Sequence, residues 1–254
     1  MIASLGMYDI PPLQAANDRY WALIRDGLRK RGVPAPQALT RGPAAYWPAW
    51  EAPDLVFSQT CGMPFRTRLH RRVTLVGTPD FGREGCPPGH YRSLFVVRAD
   101  DPRTALSDFD GALLAYNEDV SQSGWAAPLN EAATRGITFR MGPATGAHAA
   151  SARAVAQGQA EIAALDALTW TILNEHGLAA PGLRVIDATG PTPALPYITG
   201  PGADADAVFA AVQAAIAALP AADRAALHLQ GIVRIPAADY LAVPIPTVQS
   251  AHGG

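Results

Sequence analysis

The chain has 254 residues, a net charge of −2, 49% hydrophobic residues and only 17% charged ones. That is enough apolar material for a substantial core, arranged as one large domain or two smaller ones. The near-neutral charge, without acidic or basic tails, argues against a general nucleic-acid binder, and no apolar run is long enough to span a bilayer.

The first twelve residues show no basic stretch, no long apolar stretch and no processing site. The expectation is a cytoplasmic chain or one whose leader has been removed. Ile2 to Met7 reads as a first strand. Asn17 to Arg31 places Trp21, Ile24 and Leu28 at helical spacing, and Gly32 ends it. Residues 52–62 (APDLVFSQTCG) read as a short strand and a turn, and 73–81 (VTLVGTPDF) as another strand. Residues 91–102 (YRSLFVVRADDP) form a strand stopped by Asp-Asp-Pro. Residues 112–118 (ALLAYNE) form a strand feeding a helix from Gly124 to about Thr134. Residues 137–142 are extended, Ala149 to Gln157 helical, 160–167 a strand, and Leu168 to His176 a helix ended by Gly177. Residues 183–199 are extended and Pro-rich. Helices follow at Asp204 to Leu219 and Asp223 to Leu229, and the remainder reads as frayed. This alternation implies an α/β fold with largely parallel sheets.

The stretch 112–131 (ALLAYNEDVSQSGWAAPLNE) carries the strongest functional signal. A helix start presents backbone N–H groups without partners and a partial positive charge. Ser121 and Ser123 add hydroxyls there, and Gly124 allows close approach to the backbone, which together suit an oxyanion. The competing reading is simple helix capping by serine. Ser58, Gln59 and Thr60 follow the strand DLVF and form a second polar turn, again with capping as the alternative. Tyr8 follows the first strand and is either a site residue or a half-buried aromatic. Trp125, beside the SQSG turn, is the one tryptophan placed to touch a ligand there.

Cys61 and Cys86 form a disulfide in an exported protein and remain thiols in a cytoplasmic one. Two cysteines without a His cluster give no zinc signature, and Cys61 with His148 or His90 lacks an orienting third group for nucleophilic catalysis. No catalytic residue, metal or cofactor is therefore expected. Phe65 to Arg72 (FRTRLHRR), the one basic run, reads as a solvated helix face.

Order and spacing along most of the chain resemble the periplasmic substrate-binding proteins of phosphate, phosphite and phosphonate ABC transporters. The resemblance rests on YRSLFVVRADDP, the SQSG loop, GAHAASARAVAQGQAEIAALDALTW and LRVIDATGPTPALPYIT. It implies ligand-binding roles for Tyr91, Ser121, Ser123, Gly124, His148 and Asp166. Gln122 stands where that family has a Thr, and Glu118 and Asp119 lie close by. It implies two α/β lobes of the type II periplasmic-binding-protein kind, with ligand held between them. The expected lobes are 1–92 with 187–254, and 93–186, with crossings near Tyr91–Val97 and Leu183–Thr189. The implied function is capture of a small oxyanion for ABC-type uptake in the periplasm, with a transporter permease as partner and neither nucleic acid nor membrane insertion. The alternatives are an enzyme or a cytoplasmic ligand sensor on the same bilobal fold.

Overall fold

A computed structural model describes residues 1–247. The chain divides into two compact units, Met1–Tyr91 with Pro191–Leu241, and Arg92–Gly190 with the segment from Ala242 on. In chain order, unit 1 holds β1 (Ile2–Ser4), α1 (Gln14–Lys30), α2 (Trp47–Trp50), β2 (Leu55–Gln59), α3 (Gly62–Pro64), β3 (Thr74–Asp80) and β4 (His90–Tyr91). Unit 2 holds β5 (Ser93–Arg98), β6 (Leu113–Tyr116), α4 (Ala127–Thr134), β7 (Arg140–Ala144), α5 (His148–Ala156), β8 (Ile162–Asp166), α6 (Ala167–Glu175) and β9 (Leu183–Ala188). The chain returns to unit 1 for β10 (Thr192–Pro193), β11 (Tyr197–Thr199), α7 (Ala205–Ala218), α8 (Ala221–Ala226), β12 (Gly231–Val233) and α9 (Ala237–Leu241).

The division differs in detail from the expected 1–92 with 187–254 and 93–186. Asp187 and Ala188 pair with Phe95 and Leu94, so β9 is completed inside unit 2. Residues 242–247 also group with unit 2, where Asn130 donates to the Pro244 carbonyl at 2.9 Å. The segment 91–97 is not one crossing strand: Tyr91 pairs with Thr192 in unit 1, and β5 starts two residues later.

Unit 2 is a five-stranded sheet in the order β7-β6-β8-β5-β9. Its central strands are continuously apolar along Leu94–Val97, Leu113–Ala115 and Ile162–Leu165, because both faces are covered. Phe95, Val97, Leu114, Ile162 and Ala164 share one face with Leu106, Phe109 and Ile137. Val96, Ala115, Ala163 and Leu165 share the other with Ala152, Val155 and Leu173. Each fully buried Ile or Leu here contributes about 1.5–3 kcal/mol of transfer free energy.

The expectation of largely parallel sheets is corrected. β6, β7 and β8 are mutually parallel neighbours, but β5 runs antiparallel to both β8 and β9. β5 is entered from the crossing rather than through a helix, so no βαβ connection fixes its direction. In unit 1, ordered β1-β2-β11-β3-β12, only β1 and β2 are parallel. A separate two-stranded ladder joins β10 to β4.

α1 buries Tyr20, Trp21, Ile24 and Leu28, the expected stripe, and packs on α7 where Gly27 faces Ala211. α7 buries Val208, Ala211, Val212, Ala215 and Ile216, and Asp204 caps it through the Asp206 and Ala207 N–H groups.

Two further expectations change. The stretch after Leu229 is ordered as β12 and α9, because Ile232 and Tyr240 are buried and Tyr240 Oη bonds Thr78 Oγ1 and the Ala194 carbonyl at 2.6 and 2.8 Å. Residues 248–254 of that call lie outside the described residues. The basic run is not simply a solvated face. Residues Phe65–Leu69 form a π-helical turn that buries Phe65, Arg66 and Leu69. Burial pushes the Arg66 pKa down, while Arg68 stacks on Trp47 and pairs with Glu51. Among the described residues no helix is long and apolar enough to cross a membrane.

Candidate anion-binding site

In unit 2 the carboxyl ends of the parallel strands β6, β8 and β7 lie side by side, the usual position for ligands in α/β sheets. The SQSG turn follows β6, His148 follows β7, and Asp166 ends β8. The loops after β6 and β7 are stitched together: Thr145 N–H donates to the Tyr116 carbonyl at 2.8 Å and Gly146 N–H to the Asn117 carbonyl at 2.9 Å.

Ser121 does act as the helix cap, its Oγ accepting from Gly124 N–H at 3.0 Å. The chain then runs helical from Gln122, first as a π-helical turn to Ala126 and then as α4. Single π turns inside helices are frequent at functional sites. Capping and anion binding are not exclusive here. A serine that accepts from an N–H still has its own proton to donate.

Ser123 Oγ lies 2.9 Å from His148 Nε2. Burial pushes the imidazole pKa below its ordinary value, opposed by the Asp166 charge and the Ala164 backbone, so the ring is neutral at pH 7. With its proton on Nε2, the ring donates to Ser123 and leaves the serine proton for a ligand. An anion beside Ser123 favours that tautomer. Gln122 is 1% exposed and Trp125 is buried in the same turn.

Gly124 has no room for a side chain: a Cβ there would stand 1.9 Å from Asn117 Oδ1 and 3.2 Å from His148 Cε1. Asn117 was not singled out in the sequence, where it falls near the end of the strand 112–118; β6 ends one residue earlier, at Tyr116. Asp166 takes the capping role, accepting from the N–H groups of Leu168 and Thr169 at 2.7 and 3.1 Å. Burial and the neighbouring Asp119 push the Glu118 pKa up.

In unit 1, Ser58, Gln59 and Thr60 stand at the carboxyl end of β2, beside β1. Ser58 is fully buried and faces inward. Its Oγ lies 2.7 Å from Ser4 Oγ, which itself donates to the Ala45 carbonyl at 2.8 Å. Gln59 donates from Nε2 to the Leu195 carbonyl at 3.2 Å. Thr60 is held by its N–H to the Pro196 carbonyl, and its buried Oγ1 has no hydrogen-bond partner among the described residues. Tyr8 meets Phe81 edge-on at 5.4 Å and packs with Tyr91, Ala194 and Leu195. A recess within the unit brings Tyr8 and Gln59 together with Asn17, Tyr20, Phe81 and Tyr197. Cys61 is buried and Cys86 half-buried, and no disulfide joins them. Among the described residues no group of three His, Cys, Asp or Glu side chains forms a metal site.

Comparison with solved structures returns two-lobed binding proteins. PhnD1 from Prochlorococcus marinus, in complex with methylphosphonate, aligns with a TM-score of 0.68 at 14% identity, covering 94% of this chain and 94% of that one. XAC2383 from Xanthomonas citri, bound to ATP, gives 0.67 at 17%, covering 95% and 98%. A binding protein component of an ABC phosphonate transporter from Pseudomonas aeruginosa gives 0.63 at 14%, covering 91% and 80%. At such identities the likeness shows the fold, a two-lobed α/β architecture. No curated protein sequence matches the chain. Residues 59–240 match the family described as ABC transporter, phosphonate, periplasmic substrate-binding protein. The chain belongs to that family.

Proposed function

We propose that this protein captures a small oxyanion, a phosphate, a phosphonate or a related compound, for ABC-type uptake, and performs no chemistry on it. The observation that carries the reading is the pairing of hydrogen bonds in the SQSG turn. Ser121 accepts from Gly124 N–H and Ser123 is held by His148. The Ser121 proton is thereby left for an anion at the strand ends, joined by the Ser123 proton when the His148 proton sits on Nε2. Binding proteins of similar fold that hold methylphosphonate and ATP support phosphorus oxyanions as the class to test first.

Gln122 and Asp166 act around this grip, Gln122 from inside the turn and Asp166 through His148 and the start of α6. From unit 1, Tyr8, Gln59, Thr60 and Tyr91 are the proposed contacts, with Thr60 the strongest through its buried Oγ1. Ser58 supports that turn from within. A permease is the expected protein partner and the periplasm the expected compartment, both from the family.

The test is calorimetry with phosphate and methylphosphonate, joined to mass spectrometry of the small molecules released on denaturing the purified protein. Binding of a phosphorus oxyanion that weakens tenfold or more in Ser123→Ala supports the reading. An oxyanion-free protein that binds neither compound overturns it.

A further inference from the structure

The carboxamide of Asn117 takes no part in the capping and pairing that organise the SQSG turn. It lies across Gly124, with Oδ1 where a Cβ on that residue would fall and His148 Cε1 on the far side. Oδ1 is closed off from solvent and accepts no hydrogen bond among the described residues. A buried carbonyl oxygen left without a donor is costly. Beside the hydroxyls of Ser121 and Ser123, the turn therefore offers a ligand an acceptor as well as donors.

We propose that Asn117 Oδ1 accepts a hydrogen bond from the ligand, so that the site selects an oxyanion bearing an O–H over one of the same shape with none. This inference rests on the oxyanion reading and narrows its ligand class to protonated phosphorus oxyanions. A phosphonate monoanion carries one P–O–H and a phosphate monoanion two; either can satisfy Oδ1, while the unprotonated oxygens meet Ser121, Ser123 and the backbone near Gly124. A sulfonate or sulfate offers only acceptors at neutral pH. Against Oδ1 it would set two lone-pair oxygens face to face. The charged and titratable groups around Asn117 are Glu118 and Asp119 on its own loop, His148 from α5 and Asp166 from β8. Their carboxylates also disfavour a second charge on the ligand.

The experiment is calorimetry on the full chain with methylphosphonate and methanesulfonate, at mildly acidic pH where both carry one charge. Wild type should prefer methylphosphonate by about a hundredfold or more, as sites built to bond an O–H reject analogues lacking it. Asn117→Leu should lose about tenfold in methylphosphonate affinity and most of that preference. Asn117→Asp keeps an acceptor at that place and should keep the preference, and melting without ligand verifies that each variant folds. Equal binding of the two anions by wild type, or full preference in Asn117→Leu, overturns the inference and leaves the oxyanion reading standing. Binding of neither anion by wild type overturns the inference, and absence of phosphate binding as well removes the oxyanion reading.

Discussion

The stretches Ser58–Gly62 (SQTCG) and Ser121–Gly124 (SQSG) are near copies, each at or after a strand end and leading into a helical segment that contains a π turn. Their serines nonetheless do different things. Ser58 is still part of β2, in register with Ser4 on β1, so its hydroxyl faces the neighbouring strand. Ser121 comes five residues after β6 ends at Tyr116 and is free of the sheet, so its hydroxyl turns back onto the helix start. Distance from the strand end, rather than the residue string, decides whether a serine faces the sheet or the turn. By that measure the unit 1 counterpart of Ser121 and Ser123 is Thr60, one residue past the end of β2.

Several variants break or sharpen this contrast. The largest effect belongs to Gly124→Ala. The new methyl collides with Asn117 Oδ1, so overpacking should lower stability by about 1–3 kcal/mol and displace the donors of the turn. Loss of anion binding beyond a hundredfold is expected from calorimetry. Retained affinity would mean that the grip lies elsewhere.

Ser123→Ala should weaken binding by about 1.5–3 kcal/mol, the value of a hydrogen bond to a charged group, while melting changes little. Its control is Ser58→Ala, which removes the hydrogen bond to Ser4, leaves Ser4 on the Ala45 carbonyl, and should lower stability by about 1 kcal/mol at unchanged affinity. If the two serines exchange these phenotypes, the distinction between the turns is wrong.

Thr60→Val tests the unit 1 turn directly. Replacing a buried hydroxyl that has no partner with an isosteric methyl should leave the free protein as stable, or more stable by up to about 1 kcal/mol. Affinity should fall if Oγ1 donates to the ligand, and an unchanged affinity takes Thr60 out of the site.

The smallest effect is the pH dependence from His148. Its folded pKa is depressed, so below the ordinary value of about 6.5 the unfolded chain binds the extra proton more readily than the folded one. The stabilisation is present above that pH and is lost on acidification. A melting profile should fall toward acid more steeply in wild type than in His148→Gln. Parallel profiles would show that His148 does not carry the effect.

Much of this was legible in the sequence because it depends on local chemistry. Trp21, Ile24 and Leu28 mark the buried stripe of α1 by spacing alone, and Asp166 before α6 reads as a cap as well as a site residue. The strand–turn–helix order around SQSG located the strand ends where an anion would sit. Other features depended on partners distant in sequence. The antiparallel direction of β5 follows from its pairing with β8 and β9, and no residue within β5 specifies it. β12 and α9 carry weak local signals and are held by β3, Thr78 and Ala194. Arg66 looks like one more surface arginine until the π turn rotates it inward.

Asn117 shows the division most directly. By sequence it falls near the end of the strand 112–118, and its nearness to His148 arises only when β6 and β7 lie side by side and their loops are joined. Periodicity, capping and turn preferences act over a few residues, so the sequence by itself determined the elements, their order and the SQSG turn. Which side chains share a recess, and which buried oxygen is left without a donor, are properties of segments distant in sequence, and only the tertiary structure decided them.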